Sequence, residues 1–95
     1  MPRKLPRVES YGEYSSKNYG LHCLKVIFPD VITLFYSYDT IIAYRDTQDD
    51  FVMSQNIWGK TTEGHMNMLE SEKKNRIPHE EFEKKLQAAL ERHFQ

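Results

Sequence analysis

The segment from Trp58 to Asn67 holds the most varied set of reactive and polar side chains in this chain. It carries an indole, an ammonium, hydroxyls, an imidazole and an amide, which come from Trp58, Lys60, Thr61, Thr62, His65 and Asn67. A helix that begins here leaves backbone N–H groups without intrahelical partners, and its dipole adds positive charge at the same end. With Lys60 beside these donors, the segment predicts a binding site for an anionic ligand.

Patterns typical of metal centres and of nucleophilic catalysis are missing. No spacing typical of metal ligands links the histidines of the chain, which are His22, His65, His79 and His93. Cys23 has no second thiol for a zinc site, and on a strand it points to the face opposite its neighbour His22. Gly59-Lys60-Thr61 lacks the upstream glycine of a phosphate-binding loop. We therefore expect no metal, no cofactor and no enzymatic activity.

Length and composition favour one small domain. The chain has 95 residues, a net charge of −1 and 39% hydrophobic residues, which is ordinary for a globular protein and argues against a strongly basic nucleic-acid binder. Residues 1–18 are expected to form a flexible basic arm that includes Arg3, Lys4 and Arg7, and residues 19–95 a single α+β domain. A domain this small buries a modest share of its surface, so we expect a homo-oligomer.

The expected compartment is the cytoplasm. A single cysteine, Cys23, cannot form an internal disulfide, and this fits a reducing environment. The longest apolar-leaning run, Val31 to Tyr44, is broken by Thr33, Ser37, Asp39 and Thr40 and cannot be a transmembrane span. The amino terminus lacks the apolar core of a signal peptide. The sequence therefore predicts no contact with a membrane.

Alternating apolar residues and turn signals predict a four-stranded antiparallel meander. The predicted strands are Leu21–Phe28, Val31–Ser37, Thr40–Arg45 and Phe51–Gln55. Pro29-Asp30 and Tyr38-Asp39 suit tight turns, and the polar run 46–50 suits a hairpin loop. Connections this short allow only antiparallel neighbours.

Two helices are predicted to follow the strands and to pack on one face of the sheet. The first covers Thr61–Glu70, with Thr61 or Thr62 as its N-cap. The second covers Pro78–His93, where apolar residues recur every three or four positions, including Phe82, Leu86 and Leu90. The predicted fold class is therefore α+β.

Two motifs resemble a family of short uncharacterised proteins of bacteriophages and bacterial mobile elements. The first is the strand turn Ser37-Tyr38-Asp39-Thr40, and the second is the segment Trp58–Asn67, with paired threonines followed by His65 and Asn67. The resemblance spans about Ser15 to Leu69 and leaves out the basic arm and the last helix. It implies a phage-type origin and no particular chemistry.

These features favour a non-enzymatic accessory binding protein. It is expected to sequester an anionic small molecule, such as a signalling nucleotide, or to dock on a host protein and counter host defence. Trp58 is either a lid over the core or a stacking surface for a ligand. The alternative is a nucleic-acid-binding protein that uses the basic arm and a platform of sheet tyrosines, Tyr36, Tyr38 and Tyr44.

Overall fold

An antiparallel sheet forms the centre of the protein in the computed structural model, which describes residues 5–12 and 22–94. Its strands lie in sequence order, so that each strand pairs with the next along the chain. The strands are β1 (Arg7–Ser10), β2 (Leu24–Phe28), β3 (Ile32–Ser37), β4 (Thr40–Asp46) and β5 (Val52–Met53). The predicted antiparallel meander is confirmed, with five strands rather than four.

The additional strand, β1, lies within the predicted arm. Arg7–Ser10 pairs with Leu24–Ile27 in β2, and all its residues are exposed. Its charges are paired on the sheet: Glu9 bonds the Arg7 guanidinium at 2.8 Å and lies 3.9 Å from the Lys25 ammonium. The segment was missed because it holds a single apolar residue, Val8, and shows no apolar alternation. Residues 1–4 and 13–18 of the predicted arm lie outside the described residues, as does Leu21, the predicted start of β2.

Both predicted tight turns are present, and each contains a residue with a left-handed backbone. Asp30 has a φ of 63° in the β2–β3 turn, where the Val31 N–H bonds the Phe28 carbonyl at 2.9 Å. Tyr38 has a φ of 57° in the two-residue turn between Ser37 and Thr40. Asparagine, aspartate and glycine favour this region, whereas a bulky tyrosine rarely adopts it.

Strand β5 is shorter than predicted because the chain changes partners after Met53. Ser54 forms a parallel bridge with Ile77, and the Gln55 N–H donates to the Ile77 carbonyl at 2.7 Å. The segment before the last helix thus lies against the edge of the sheet at β5. This pairing joins two parts of the chain that the sequence shows as separate connections.

The helices agree with the predicted bounds to within one residue. Helix α1 covers Lys60–Leu69 and helix α2 covers His79–Phe94, with a short 3₁₀ helix at Lys73–Asn75 between them. Within the described residues, no helix has the length and apolar character needed to cross a membrane.

The two helices pack on opposite faces of the sheet, so the prediction of one shared face is wrong. Leu34 of β3 packs in a cluster with Phe82 and Ala89 of α2. Its neighbour Phe35 packs in a second cluster with Met66 of α1. Because successive strand residues point to opposite faces, each helix covers its own face. Both faces of the sheet are apolar enough to need a cover.

The apolar stripe of α2 faces the sheet as predicted, although its burial is uneven. Phe82 and Ala89 are fully buried, whereas Leu86 and Leu90 are partly buried at the margin of the same cluster. The prediction of burial is thus confirmed in full for Phe82 and in part for Leu86 and Leu90.

Candidate functional site

The loop before α1 is held by the side chain of Asn56. Its Oδ1 accepts hydrogen bonds from the backbone N–H groups of Trp58 at 2.8 Å and Gly59 at 3.3 Å, and its Nδ2 donates to the Gly59 carbonyl at 2.8 Å. Gly59 is the N-cap residue, and no side chain caps the helix. The predicted threonine cap is therefore wrong, because the helix starts one residue earlier and the Thr62 hydroxyl bonds Ser37 instead.

The predicted site residues are divided between the two sides of α1. Lys60, Thr61 and Asn67 are exposed, whereas Thr62 and His65 are buried against the sheet. His65 and Asn67 point in different directions, as expected for residues two positions apart on a helix. The structure therefore does not bring all six predicted residues to one surface.

The buried side of α1 carries a cluster of two hydroxyls and an imidazole. The Ser37 Oγ lies 2.7 Å from the His65 Nδ1 and 3.0 Å from the Thr62 Oγ1. This contact joins the strand turn that begins at Ser37 to the segment Trp58–Asn67. Burial, and then the charge of His22, lower the pKa of His65 below its usual value. The hydrogen bond between Ser37 and His65 links α1 to the β3–β4 turn. Because both residues are buried, the Ser37 hydroxyl is not accessible as a nucleophile.

Trp58 lies at the surface beside the start of α1. The residue is 37% exposed, and its indole is perpendicular to the His79 ring, with the ring centroids 5.1 Å apart. The His79 Nδ1 lies 3.0 Å from the Ser54 Oγ, and the other ring nitrogen contacts Glu83. Trp58 is thus a partly exposed side chain that packs against His79, and not a lid over the core.

Arg76 is the central polar residue beside α1, and sequence reasoning missed it. Its Nη1 donates to both carboxylate oxygens of Glu63, at 3.1 and 2.9 Å. Its Nη2 donates to the Asn67 Oδ1 at 3.0 Å and the Glu70 carbonyl at 2.9 Å. Its Nε is buried and has no hydrogen-bond partner among the described residues. In the sequence Arg76 ends a charged run that is typical of a solvated connection, so no local signal marks it.

Arg76 lines a cleft between α1 and the segments on either side of it. The cleft has a volume of about 290 Å³, and its lining residues are Gln55, Asn56, Glu63, Lys73 and Arg76. The hydrogen bond from Arg76 is the largest influence on Glu63 and lowers the pKa of its carboxyl, which favours the ionised form. Two cationic side chains and one carboxylate therefore leave the lining with an excess of one positive charge.

A model of a protein family matches residues 7–84, which run from β1 into α2 and include the whole cleft. The chain belongs to DUF8033, a family of unknown function. No curated protein and no solved structure matches the chain. Membership in DUF8033 therefore gives the extent of the domain without an activity.

The sheet tyrosines of this DUF8033 protein do not form a common stacking platform. Tyr44 is buried under α2, and its hydroxyl donates to the Asp49 carboxylate at 2.8 Å. Burial is the main cause that raises the pKa of Tyr44. Tyr36 packs at the margin of the α2 cluster, while Tyr38 lies half-exposed in the β3–β4 turn. Bases cannot stack on all three rings at once.

The described part of this DUF8033 protein holds no group of three or more metal-ligating side chains. The residues that converge instead are amides, cations and one carboxylate around the cleft. Such a lining presents charged and hydrogen-bonding groups to the cleft.

Proposed function

We propose that this protein is a non-enzymatic binding protein that holds a phosphate-bearing small molecule in the cleft beside the start of α1. The observation that carries the proposal is the position of buried Arg76 in a cleft whose lining has excess positive charge. A buried arginine is costly unless its partners are well placed, and it is the residue most suited to binding phosphate groups.

The hydrogen-bonding groups that remain uncommitted in the cleft favour an anion. The Lys73 ammonium and the Gln55 side-chain amide form no hydrogen bond within the described part of the chain. Glu63, the only carboxylate in the lining, already accepts bonds from Arg76 and Asn56. A ligand thus finds free donors, and phosphate oxygens are strong acceptors for them.

Trp58 favours a nucleotide over a bare phosphate. It follows Asn56 by two residues, and its exposed indole offers a surface on which a base stacks. The resemblance to phage proteins extends the proposal to a host signalling nucleotide, whose sequestration would counter host defence. An accessory protein of this kind could also counter host defence by docking on a host protein instead of sequestering a nucleotide.

Isothermal calorimetry tests the proposal with inorganic phosphate and with a panel of linear and cyclic nucleotides. We expect Lys73→Ala to weaken nucleotide binding about tenfold or more, because one charge-assisted contact contributes about 1.5–3 kcal/mol. Lys74→Ala is the matched control, since Lys74 lies in the same 3₁₀ helix but does not line the cleft. It should bind like the parent protein.

A third variant separates the cleft from the exposed helix start. Lys60→Ala removes the cation that the sequence placed at the start of α1, and it should have a smaller effect than Lys73→Ala. Equal binding by the Lys73→Ala and Lys74→Ala variants contradicts a site in the cleft. Absence of binding to any anion, together with co-purification of a host protein, contradicts the small-molecule proposal and favours docking.

A further inference from the structure

The ring of His65 combines nearly complete burial with an incomplete set of hydrogen bonds. The residue is 1% exposed, and its Nδ1 is bonded to the Ser37 Oγ, which is bonded in turn to Thr62. Its Nε2 is buried and has no hydrogen-bond partner among the described residues. In a neutral imidazole one ring nitrogen donates a hydrogen bond and the other accepts one. The neutral His65 ring therefore lacks one hydrogen bond, at Nε2.

Tyr38 lies beside this ring in a strained turn. Its ring centroid lies 5.7 Å from that of His65 and 4.5 Å from that of His22, on which it stacks. Its φ of 57° is unfavourable for an aromatic residue, so the surrounding contacts must hold the turn in place. One of these contacts is the bond from the Tyr38 N–H to the His22 carbonyl at 2.8 Å. The turn is thus a strained element closed over a buried titratable group.

We propose that the Ser37–Thr62–His65 cluster is an acid-sensitive latch, in which protonation of His65 releases the β3–β4 turn from helix α1. Both ring nitrogens of a protonated imidazole are donors. The Nδ1–H still bonds the Ser37 oxygen, but the Nε2–H then carries positive charge into a buried position without an acceptor. Opening the turn lets water reach this group.

The groups that face His65 do not compensate a positive charge. His22 lies beyond the Tyr38 ring and adds charge of the same sign when it is protonated, while Ser37, Thr62 and Tyr38 are neutral in acid. Among the described residues no carboxylate bonds His65, whereas His79 contacts Glu83 and His93 contacts Asp46. A protonated His65 ring would therefore lie in a buried position without a carboxylate partner.

The depressed pKa of His65 fixes the direction of the effect. The closed state, in which the β3–β4 turn contacts α1, has its full stability above about pH 6.5, which is the ordinary pKa of histidine. Below that pH, opening takes up one proton, so the opening equilibrium rises by up to about tenfold per pH unit until the pKa of the closed state is reached.

Nuclear magnetic resonance on the full chain tests the latch without any ligand. The histidine ring signals give the pKa of each imidazole. Amide exchange, corrected for its intrinsic pH dependence, gives the opening of residues 36–41 and 60–66 between pH 7.5 and 5. We expect protection of these amides to fall with the titration of His65, while the amides of α2 remain protected. Unchanged protection across this range, or loss that follows another histidine, overturns the latch.

Matched variants assign the response to one ring. His65→Asn keeps an amide near the position of Nδ1, cannot be protonated and should abolish the response to acid. His79→Asn is the control and should retain it. A wild-type response in His65→Asn, or its loss in His22→Asn, overturns the assignment to His65. If His65→Asn does not fold, the ring titration of the wild-type protein decides between these outcomes.

Discussion

At the scale of single residues, Arg76 links parts of the chain that are distant in sequence. Its guanidinium contacts Glu63, Asn67 and the carbonyl of Glu70, which lie three or four positions apart and so share one side of α1. The same side chain lines the cleft. Its structural and proposed binding roles therefore need separate tests, and Lys73 is the better position for testing binding.

Arg76→Ala should lower the free energy of unfolding by about 3–5 kcal/mol. The substitution leaves the Glu63 carboxylate without its arginine partner and removes the link between α1 and the segment before α2. Urea denaturation at neutral pH measures the change, and Lys74→Ala should lie within about 0.5 kcal/mol of the parent protein. A loss below about 1 kcal/mol for Arg76→Ala contradicts the structural role.

Asp46 predicts a dependence of stability on pH. Burial raises the pKa of its carboxyl, but the backbone N–H of Asp49, followed by Arg92 and His93, brings it down to about 2. The pKa of Asp46 is therefore lower in the folded protein than in the unfolded chain. Its ionised carboxylate contributes fully to the free energy of unfolding above about pH 4, and this contribution is lost as the pH falls through about 2.

Asp46→Asn should therefore cost about 2 kcal/mol at pH 7 and much less at pH 2. Denaturant titrations of the variant and the parent protein at both pH values measure the difference. An equal cost at the two pH values shows that the carboxylate charge is not the cause.

At the scale of elements, the sequence predicts the parts of the fold that local patterns encode. Period-two alternation and turn residues identified β2, β3 and β4, and the apolar stripe of α2 identified that helix to within one residue. The sequence does not predict strand β1, because Arg7–Ser10 forms a strand through its pairing with β2 and not through its own composition. The opposite placement of the helices depends on which sheet face each one covers, and local periodicity does not specify that.

The candidate site was only partly accessible to sequence reasoning for a similar reason. The segment 58–67 was identified as chemically rich, and the cleft does lie beside the start of α1. Arg76 and Lys73 reach that cleft through the pairing of Ser54 with Ile77, a tertiary contact without a local signature. The sequence predicts that Thr62 and His65 bind a ligand, but their positions in α1 turn both side chains toward Ser37.

The packing of α2 on its face of the sheet predicts a graded effect of truncation. Phe82→Ala should cost about 3–5 kcal/mol, because Phe82 is fully buried in the cluster that includes Leu34 and Tyr44. Leu86→Ala should cost less, since Leu86 is partly buried. Thermal or urea denaturation ranks the two variants. A larger loss for Leu86→Ala contradicts the observed packing of α2.

At the scale of the whole molecule, apolar side chains remain at the surface. The large exposed ones include Leu5, Val8, Ile57, Trp58 and Phe94. Strand β1 is a sheet edge of exposed residues, and a small domain gains stability when a second copy covers such surface. We predict a dimer or a higher oligomer. Light scattering at micromolar concentration measures the mass, and a monomer contradicts the prediction.

A nuclear magnetic resonance titration with nucleotides tests most directly whether the cleft beside α1 binds a phosphate-bearing ligand. The side-chain amide signals of Gln55 and Asn56 and the backbone signals of residues 73–76 report on the cleft. We predict saturable shifts concentrated at these positions and at Trp58, and loss of the shifts in Lys73→Ala but not in Lys74→Ala. Shifts centred on another surface, or no saturable shifts with any nucleotide, would contradict the claim.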